Sequence, residues 1–282
     1  MAFARATKLF ILSPKAGSVT PDVETKLRKA FADWEIVEFD PKMELDKLVT
    51  PLATIVAAGG DGTIEHVTRR LVDTKHPLGI IPLGTFNNFA RSLHLPTTVN
   101  AAIKVVKTGK PRHITLGRVN GRLFLEAAAI GLFGETIAAG DAAKDRAFGA
   151  VAAAAKKVMA AKPFKYELEG DIKGSGTAMS LVFTNTKSIG SQLPVGDSTP
   201  VDPYLELSVH AGASRRDIVK RVLARTVMSK DAEEGLGQMF RFRTLSVMTK
   251  PRVRAYADNV RVGLTPATIE AQLSAVRVIL PR

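Results

Sequence analysis

The residues of this chain whose types and spacing could do chemistry lie in two short stretches. In AAGGDGTIEH, residues 57–66, Gly59, Gly60 and Gly62 surround Asp61 and precede Thr63, directly after a hydrophobic run. Bare backbone in such a turn lets N–H groups approach a phosphate, and the helix that follows offers unpaired N–H groups at its positive dipole end. The same residues also read as a plain tight turn in which Asp61 caps the helix. The pattern is neither the dinucleotide fingerprint G-x-G-x-x-G nor a G-K-[ST] phosphate loop. An aspartate in a phosphate loop repels phosphate unless a cation bridges the two, so Asp61 calls for a Mg²⁺-nucleotide or for a hydrogen bond to a ribose or hydroxyl. The second stretch, GIIPLGTFNNFARSLHLP, residues 79–96, passes from an apolar run through the turn PLGT to two adjacent asparagines and a helix start.

Elements of a parallel sheet are needed to bring these two turns together. KLFILS, EIVEFD, TIVAAG and LGIIPLG read as strands, PDVETKLRKAFADW carries Val23, Leu27, Ala30 and Phe31 at helical spacing, and Ile64, Val67, Leu71 and Val72 mark one face of a second helix. Strand and helix alternating in this way predict an α/β domain, and ligands of such sheets sit at the carboxyl ends of the strands. After about residue 112 the texture changes to short strands separated by turns, with the Asn-Gly of VNGR as a hairpin signal. The fold expected is α/β plus β. Residues 1–115 form an α/β nucleotide-binding domain with a parallel sheet. Residues 116–282 form a β-rich, mainly antiparallel sandwich-like domain with helical insertions at Glu135–Lys162 and SRRDIVKRVLARTVM, whose last strand could pack back towards the first domain.

Composition narrows the chemistry. The chain has no cysteine, which excludes disulfides, a Cys-ligated zinc site and a cysteine nucleophile and fits a cytoplasmic protein. LFIL near the start is too short for a signal-peptide core, and no apolar run approaches the length of a membrane span. Histidines 66, 76, 94, 113 and 210 show no ligand spacing, and no G-x-S-x-G elbow is present. The net charge of +13 attracts polyanions: nucleic acid, an anionic membrane face or a phosphorylated substrate. Aromatic residues make up only 6% and are not interleaved with basic ones, which disfavours nucleic acid. Between residues 211 and 254 eleven Lys or Arg face four acids, enough to hold the chain peripherally at an anionic leaflet.

With these residues quoted, the sequence resembles the diacylglycerol kinase catalytic family, lipid kinases that include bacterial diacylglycerol kinases and the sphingosine and ceramide kinases. GGDGT at residues 59–63 matches the family's nucleotide loop, and PLGTFNNFARSLHLP is similar to PLGTGNDFARxLGIP. LSPKAGS resembles the opening NPxAG turn, RVNGRLFLEAAAIGLFGE the strand pair entering the second domain, VDPYLELSV the segment DGxLDV, YADN the late DGE, and VRVILP the last strand.

The resemblance implies an ATP- and Mg²⁺-dependent lipid kinase acting on a diacylglycerol-like lipid, with an active site in the cleft between its domains. It places Gly59, Gly60, Asp61, Gly62, Thr63, Thr85 and Asn87 around the nucleotide, Asp61 and Asp202 at metal, and Asp258 as the base that takes the acceptor hydroxyl proton. Read alone, Asp258 in ADN is equally a solvated turn residue. The chain departs from the family pattern at Ser13, Phe86, Asn88, Glu126 and Phe133, and it follows Asp258 with Asn259 and Val260 in place of Gly-Glu. Two other readings compete: an NAD kinase, which shares a GGDGT loop, and a catalytically impaired nucleotide- or lipid-binding protein, marked by Phe86, Glu126 and Val260.

Overall fold

The computed structural model describes residues 5–135, 162–189, 193–194, 196–210 and 239–282. The body of both expected helical insertions, with the basic residues from Arg215 to Lys230, lies outside the described residues. The chain divides into two compact units: one holds residues up to Leu116 together with 199–201 and 273–282, and the other holds Gly117–Ser198 and Asp202–Gln272.

In the first unit the order is β1 (Ala6–Leu12), α1 (Pro21–Ala30), β2 (Glu35–Glu38), α2 (Leu45–Leu48), β3 (Val49–Gly59), α3 (Asp61–Arg70), β4 (Pro77–Pro82), α4 (Asn88–Ser92) and α5 (Val99–Thr108). The strands pair in parallel in the order β2, β1, β3, β4, with Phe10 beside Val56 and Ala57 beside Ile80. Helices on the faces of a parallel sheet bury its strands on both sides, which is why Leu9 to Leu12 and Ile55 to Ala58 are unbroken apolar runs, all wholly buried. Thr20 starts α1 by accepting the Val23 N–H at 3.3 Å, with Pro21 at the first helical position. That helix delivers Leu27 and Phe31 to the core, where the Phe31 ring stacks on Phe10 at 4.5 Å. Next to β4 comes the end of the chain: Arg277 and Val278 pair in parallel with Pro77 and Leu78.

The strands that follow are β5 (Lys110–Val119), β6 (Arg122–Phe124), β7 (Ala127–Gly131), β8 (Phe164–Gly170), β9 (Gly174–Ala178), β10 (Ser180–Thr184), β11 (Ser188–Ile189), β12 (Leu193–Pro194), β13 (Leu205–His210), β14 (Met239–Phe242), β15 (Thr244–Lys250), β16 (Arg254–Ala257), β17 (Val260–Leu264) and β18 (Ala267–Leu280). In the second unit β14, β13, β10, β7, β16 and β17 form one antiparallel sheet, while β15 joins the start of β18 to β8 and β9. Alternation along β15 sends Leu245 and Val247 inwards and leaves Ser246 and Met248 outside. Leu181, Phe183, Leu205 and Phe242 from the six-stranded sheet share one core with Leu168, Leu245, Val247 and Ile269 from the other strands, a sandwich packing.

The β5–β6 hairpin turns at Asn120 and Gly121, both left-handed at φ 49° and 78°, as a two-residue hairpin loop requires. Opposite each other in this hairpin are Gly117 and the wholly buried Phe124, and a Cβ on Gly117 would fall inside the Phe124 ring. Gly117→Ala is therefore expected to cost about 1 to 3 kcal/mol through overpacking, read as a lower urea midpoint. An unchanged midpoint would mean that the ring is free to leave the core.

Candidate nucleotide-loop site and acidic turn

The loops after β1, β3 and β4 leave the same edge of the parallel sheet and are sewn to one another by backbone. Ser13 N–H donates to the Ala58 carbonyl at 2.8 Å, Ser18 N–H to Leu83 at 3.0 Å and Leu83 N–H to Gly59 at 2.8 Å. Side chains finish the seam. Asn87, left-handed at φ 54° and buried, grips the Gly84 peptide from both sides: its Oδ1 accepts the Gly84 N–H at 2.9 Å and its Nδ2 donates to the Gly84 carbonyl at 2.8 Å. Asp61 Oδ2 in turn accepts the Asn87 N–H at 2.9 Å.

This corrects the reading of Asp61 as a helix cap. Gly60 is the N-cap of α3 and Asp61 its first residue. The carboxylate reaches across to the other loop, in a first-turn position where negative charge also suits the helix dipole. Phe86 likewise does not occupy the position that needs glycine. The left-handed residue of its turn is Asn87, and the Phe86 carbonyl accepts the Arg91 Nε–H at 3.0 Å.

The glycines divide by what they make room for. A Cβ on Gly59 would stand 2.6 Å from the Thr63 Cβ, and one on Gly84 would stand 2.8 Å from the Gly60 Cα, so Gly59 and Gly84 are required by the loops' own packing. Gly62 is different. It is exposed, and a Cβ there would meet nothing within 4 Å. Thr85 is exposed as well, with its Oγ1 3.4 Å from where a Cβ on Gly17 would lie. Of the seven residues expected around a nucleotide, Gly62 and Thr85 present themselves outwards, while Gly59, Gly60, Asp61, Thr63 and Asn87 shape and lock the two loops.

Asp258 belongs to the second unit. It is the first residue of the β16–β17 turn, left-handed at φ 49°. Its Oδ1 accepts the N–H groups of Glu126 and Ala127 at 3.0 and 3.2 Å, and its Oδ2 accepts that of Leu125 at 3.1 Å. The opposite side of this loop is held by Asn185 and Thr186, both wholly buried. Asn185 N–H donates to the Glu126 carbonyl at 2.9 Å, its Nδ2 to Leu125 at 3.2 Å, and the Thr186 hydroxyl to Glu126 at 3.4 Å. Of the three partners Glu126, Asn185 and Thr186, the motif reading had named only Glu126, and that as a departure from the family pattern. Their sequence signal is slight, a single acid in LEAA and an Asn-Thr after a buried strand.

Asp202 lies in the loop before β13, beside Tyr204, whose phenol is pushed above its usual pKa by burial and then by the Asp202 charge. The buried acid here is Glu206, hidden in the alternation of LELSV. Its Oε2 accepts the Asp197 and Ser198 N–H groups, each at 2.8 Å, and its Oε1 lies 3.5 Å from Arg241, whose guanidinium sits over the Tyr204 ring. Among the described residues no three His, Cys, Asp or Glu side chains gather as a metal cage. The surroundings of Asp202 do not fit one, because Glu206 is spent on backbone and Arg241. Asp61 does fit Mg²⁺ brought in by a nucleotide, since such an ion takes only one or two carboxylates from the protein and the rest from phosphate and water.

The histidines remain local. His66 Nε2 accepts the Arg70 Nε–H at 2.8 Å, and burial, then the Arg70 charge, holds its pKa below the usual value. His76 Nδ1 bonds the Ala53 carbonyl at 2.9 Å.

The profile of the diacylglycerol kinase catalytic domain matches residues 8–119. A diacylglycerol kinase of Staphylococcus saprophyticus is 43% identical over 79 residues, which cover 27% of this chain and 26% of that protein. One of Staphylococcus epidermidis is 35% identical over 135 residues, covering 43% of this chain and 42% of that protein. The matched stretches thus span less than half the length of these relatives. A crystal structure of a diacylglycerol kinase from Bacillus anthracis superposes with a TM-score of 0.71 at 20% identity and covers 98% of each chain, a likeness of fold.

Proposed function

We propose, because residues 8–119 match the profile of the diacylglycerol kinase catalytic domain, that the protein is an ATP-dependent lipid kinase, transferring the γ-phosphoryl group to a hydroxyl of a diacylglycerol-like lipid. The observation that carries the reading is the pair of locked loops that leave Gly62 open, with the first turn of the ten-residue helix α3 behind it. Phosphoryl transfer asks the protein mainly to position two substrates and to meet phosphate charge. Backbone N–H groups at Gly62 and the Thr85 hydroxyl would meet the phosphates, and Asp61, held by the Asn87 N–H on its Oδ2, would be the carboxylate that holds the nucleotide's Mg²⁺. Mg²⁺, when bound with ATP, neutralises the phosphate oxygens. Asn87 keeps Gly84 from turning its carbonyl outwards, where it would repel phosphate. On the acceptor side, the Asp258 carboxylate takes the hydroxyl proton, at Oδ2, which accepts only the Leu125 N–H.

Among the described residues no helix is long and apolar enough to cross a membrane. We place the reaction at the surface of an anionic bilayer, to which a chain of net charge +13 is drawn.

The test is to incubate the protein with Mg²⁺ and γ-labelled ATP in mixed micelles containing diacylglycerol, phosphatidylglycerol or a sphingoid base, and to separate the lipids. A labelled lipid is the expected result. In a parallel titration, ATP binding with no labelled lipid would leave a binding protein of the same fold, and in a parallel incubation with soluble NAD, label on the NAD would replace the lipid by a dinucleotide.

A further inference from the structure

We infer, independently of the kinase reading, that the Arg241 guanidinium takes the place of the cation that the resemblance implies beside Asp202, so that the loop before β13 is held without a metal. VDPYLELSV set on the pattern DGxLDV puts Pro203 on the glycine and Glu206 on the second aspartate. Glutamate is longer by one methylene, and here the extra reach carries its carboxylate back to the preceding loop. Its Oε2 accepts the Asp197 and Ser198 N–H groups, each at 2.8 Å.

Strand register sets the rest. Glu206 stands directly between Thr184 of β10 and Arg241 of β14, and cross-strand neighbours on one face of a sheet interact. The Glu206 side chain is only 3% exposed, so its charge has to be answered by a partner. Arg241 answers it, with Nε 3.5 Å from Oε1 and the guanidinium 4.7 Å from the centre of the Tyr204 ring. A second arginine takes the loop's backbone: Arg243 Nε–H donates to the Pro203 carbonyl at 3.0 Å, an oxygen of the kind that otherwise ligates a hard cation.

On the other side of Glu206 the space is closed. The wholly buried Thr184 hydroxyl has no hydrogen-bond partner, yet the Gly196 backbone walls it off. A Cβ on Gly196 would lie 2.5 Å from that oxygen and 3.0 Å from the Glu206 Oε2, which leaves no room for an ion beside the two. Access from solvent is not what is missing. A cleft of about 510 Å³ opens here, lined by Ile172, Asp197, Glu206, Met239, Phe240 and Arg241. What a hydrated Mg²⁺ would lack is a set of oxygens at about 2.0 to 2.1 Å in octahedral array. Burial and then the Asp202 charge raise the Tyr204 pKa, Glu206 and Asp197 add to the effect, and Arg241 opposes them. Three carboxylates thus bear on one phenol without gathering as a cage, and the charge that balances them is the guanidinium.

The experiment follows hydrogen exchange over residues 196–208, beside urea unfolding, in the nucleotide-free protein. Wild type, Arg241→Gln, Glu206→Gln and the double variant are compared in EDTA and in millimolar Mg²⁺ at matched ionic strength. Wild type should exchange alike in both. Arg241→Gln should exchange about fivefold faster in this segment, a modest effect because the arginine is 65% exposed and water screens the pair. In the Glu206→Gln background the same substitution should change little. Exchange of the wild-type segment slowed by Mg²⁺ would overturn the inference, because a metal would then be bound there. A loss from Arg241→Gln that persists without the Glu206 charge would overturn it too, since the arginine would then act only by covering Tyr204. Should Glu206→Gln fail to fold, Arg241→Lys keeps the charge and loses the planar stack. It should exchange more slowly than Arg241→Gln, and equal rates for the two would overturn the inference.

Discussion

Gly84→Val is expected to weaken Mg²⁺-ATP binding by more than about 100-fold, roughly 2.7 kcal/mol, and to lower the melting temperature of the first unit. A Cβ at this position would lie 2.8 Å from the Gly60 Cα, 2.9 Å from the Asn87 Oδ1 and 3.3 Å from the Asp61 N. Carbon atoms in contact prefer 3.5 to 4.0 Å. Two of the three obstacles are backbone and the third is clamped to Gly84 itself, so no rotamer change relieves them. The loops would have to separate by an appreciable fraction of an ångström, which breaks the bond from Asn87 N–H to Asp61 as well. Gly62→Ala provides the contrast. It meets no atom within 4 Å, and alanine is the better helix former by about 1 kcal/mol, so this variant should melt higher. If the open face at Gly62 is where phosphate rests, the same variant should bind Mg²⁺-ATP more weakly. Calorimetric titration beside a thermal melt reads both signs. A Gly62→Ala protein that is more stable and binds equally well would remove the nucleotide from this face.

Asp258→Ala should be the most destabilising single change in the second unit, by about 3 to 5 kcal/mol. It strands the N–H groups of Leu125 and Ala127, residues 2% and 4% exposed, and leaves that of Glu126 without its acceptor. Each unmatched buried group costs about 1 to 3 kcal/mol. Alanine also tolerates φ 49° poorly, by about 1 to 2 kcal/mol. The two causes separate in a series: Asp258→Gly keeps the backbone easy and loses the acceptor, while Asp258→Asn keeps the conformation and one acceptor oxygen. Urea unfolding should rank aspartate above asparagine, asparagine above glycine, and alanine last. An alanine variant as stable as wild type would show that the three N–H groups do not depend on this carboxylate.

Legibility from sequence followed how local the signal was. The βα units of the first half were readable because each buried strand is a continuous apolar run and each helix repeats its apolar positions, as Ile64, Val67 and Leu71 do on α3. The VNGR hairpin was readable because Asn-Gly selects the left-handed turn that the strands need. Other elements depend on partners distant in sequence. β9 is GSGTA, poor in strand formers, and it exists by pairing with β8, where Gly176 lies against the Tyr166 ring. The start of β18, ATIEAQL, is ordered by β15, and α5, with Thr98 at its N-cap and Gly109 at its C-cap, went unread although both ends carry cap residues. At the candidate site the motif named the right loops, but which residues face outwards is a matter of packing between them. Asn87 reads as a ligand residue until its amide is seen closed on Gly84, and Asp258 reads as a free acid until the Leu125–Ala127 loop is seen around it.

The pairing of β4 with the last strand bears on how the chain is made. Residues 77 and 78 wait for residues 277 and 278, and a contact across so much sequence forms late and slowly. On a ribosome the first unit would emerge with the β4 edge bare, a row of open backbone groups able to recruit the wrong strand from a neighbouring nascent chain. The β4 edge is covered only once residues 277 and 278 have emerged to pair with it.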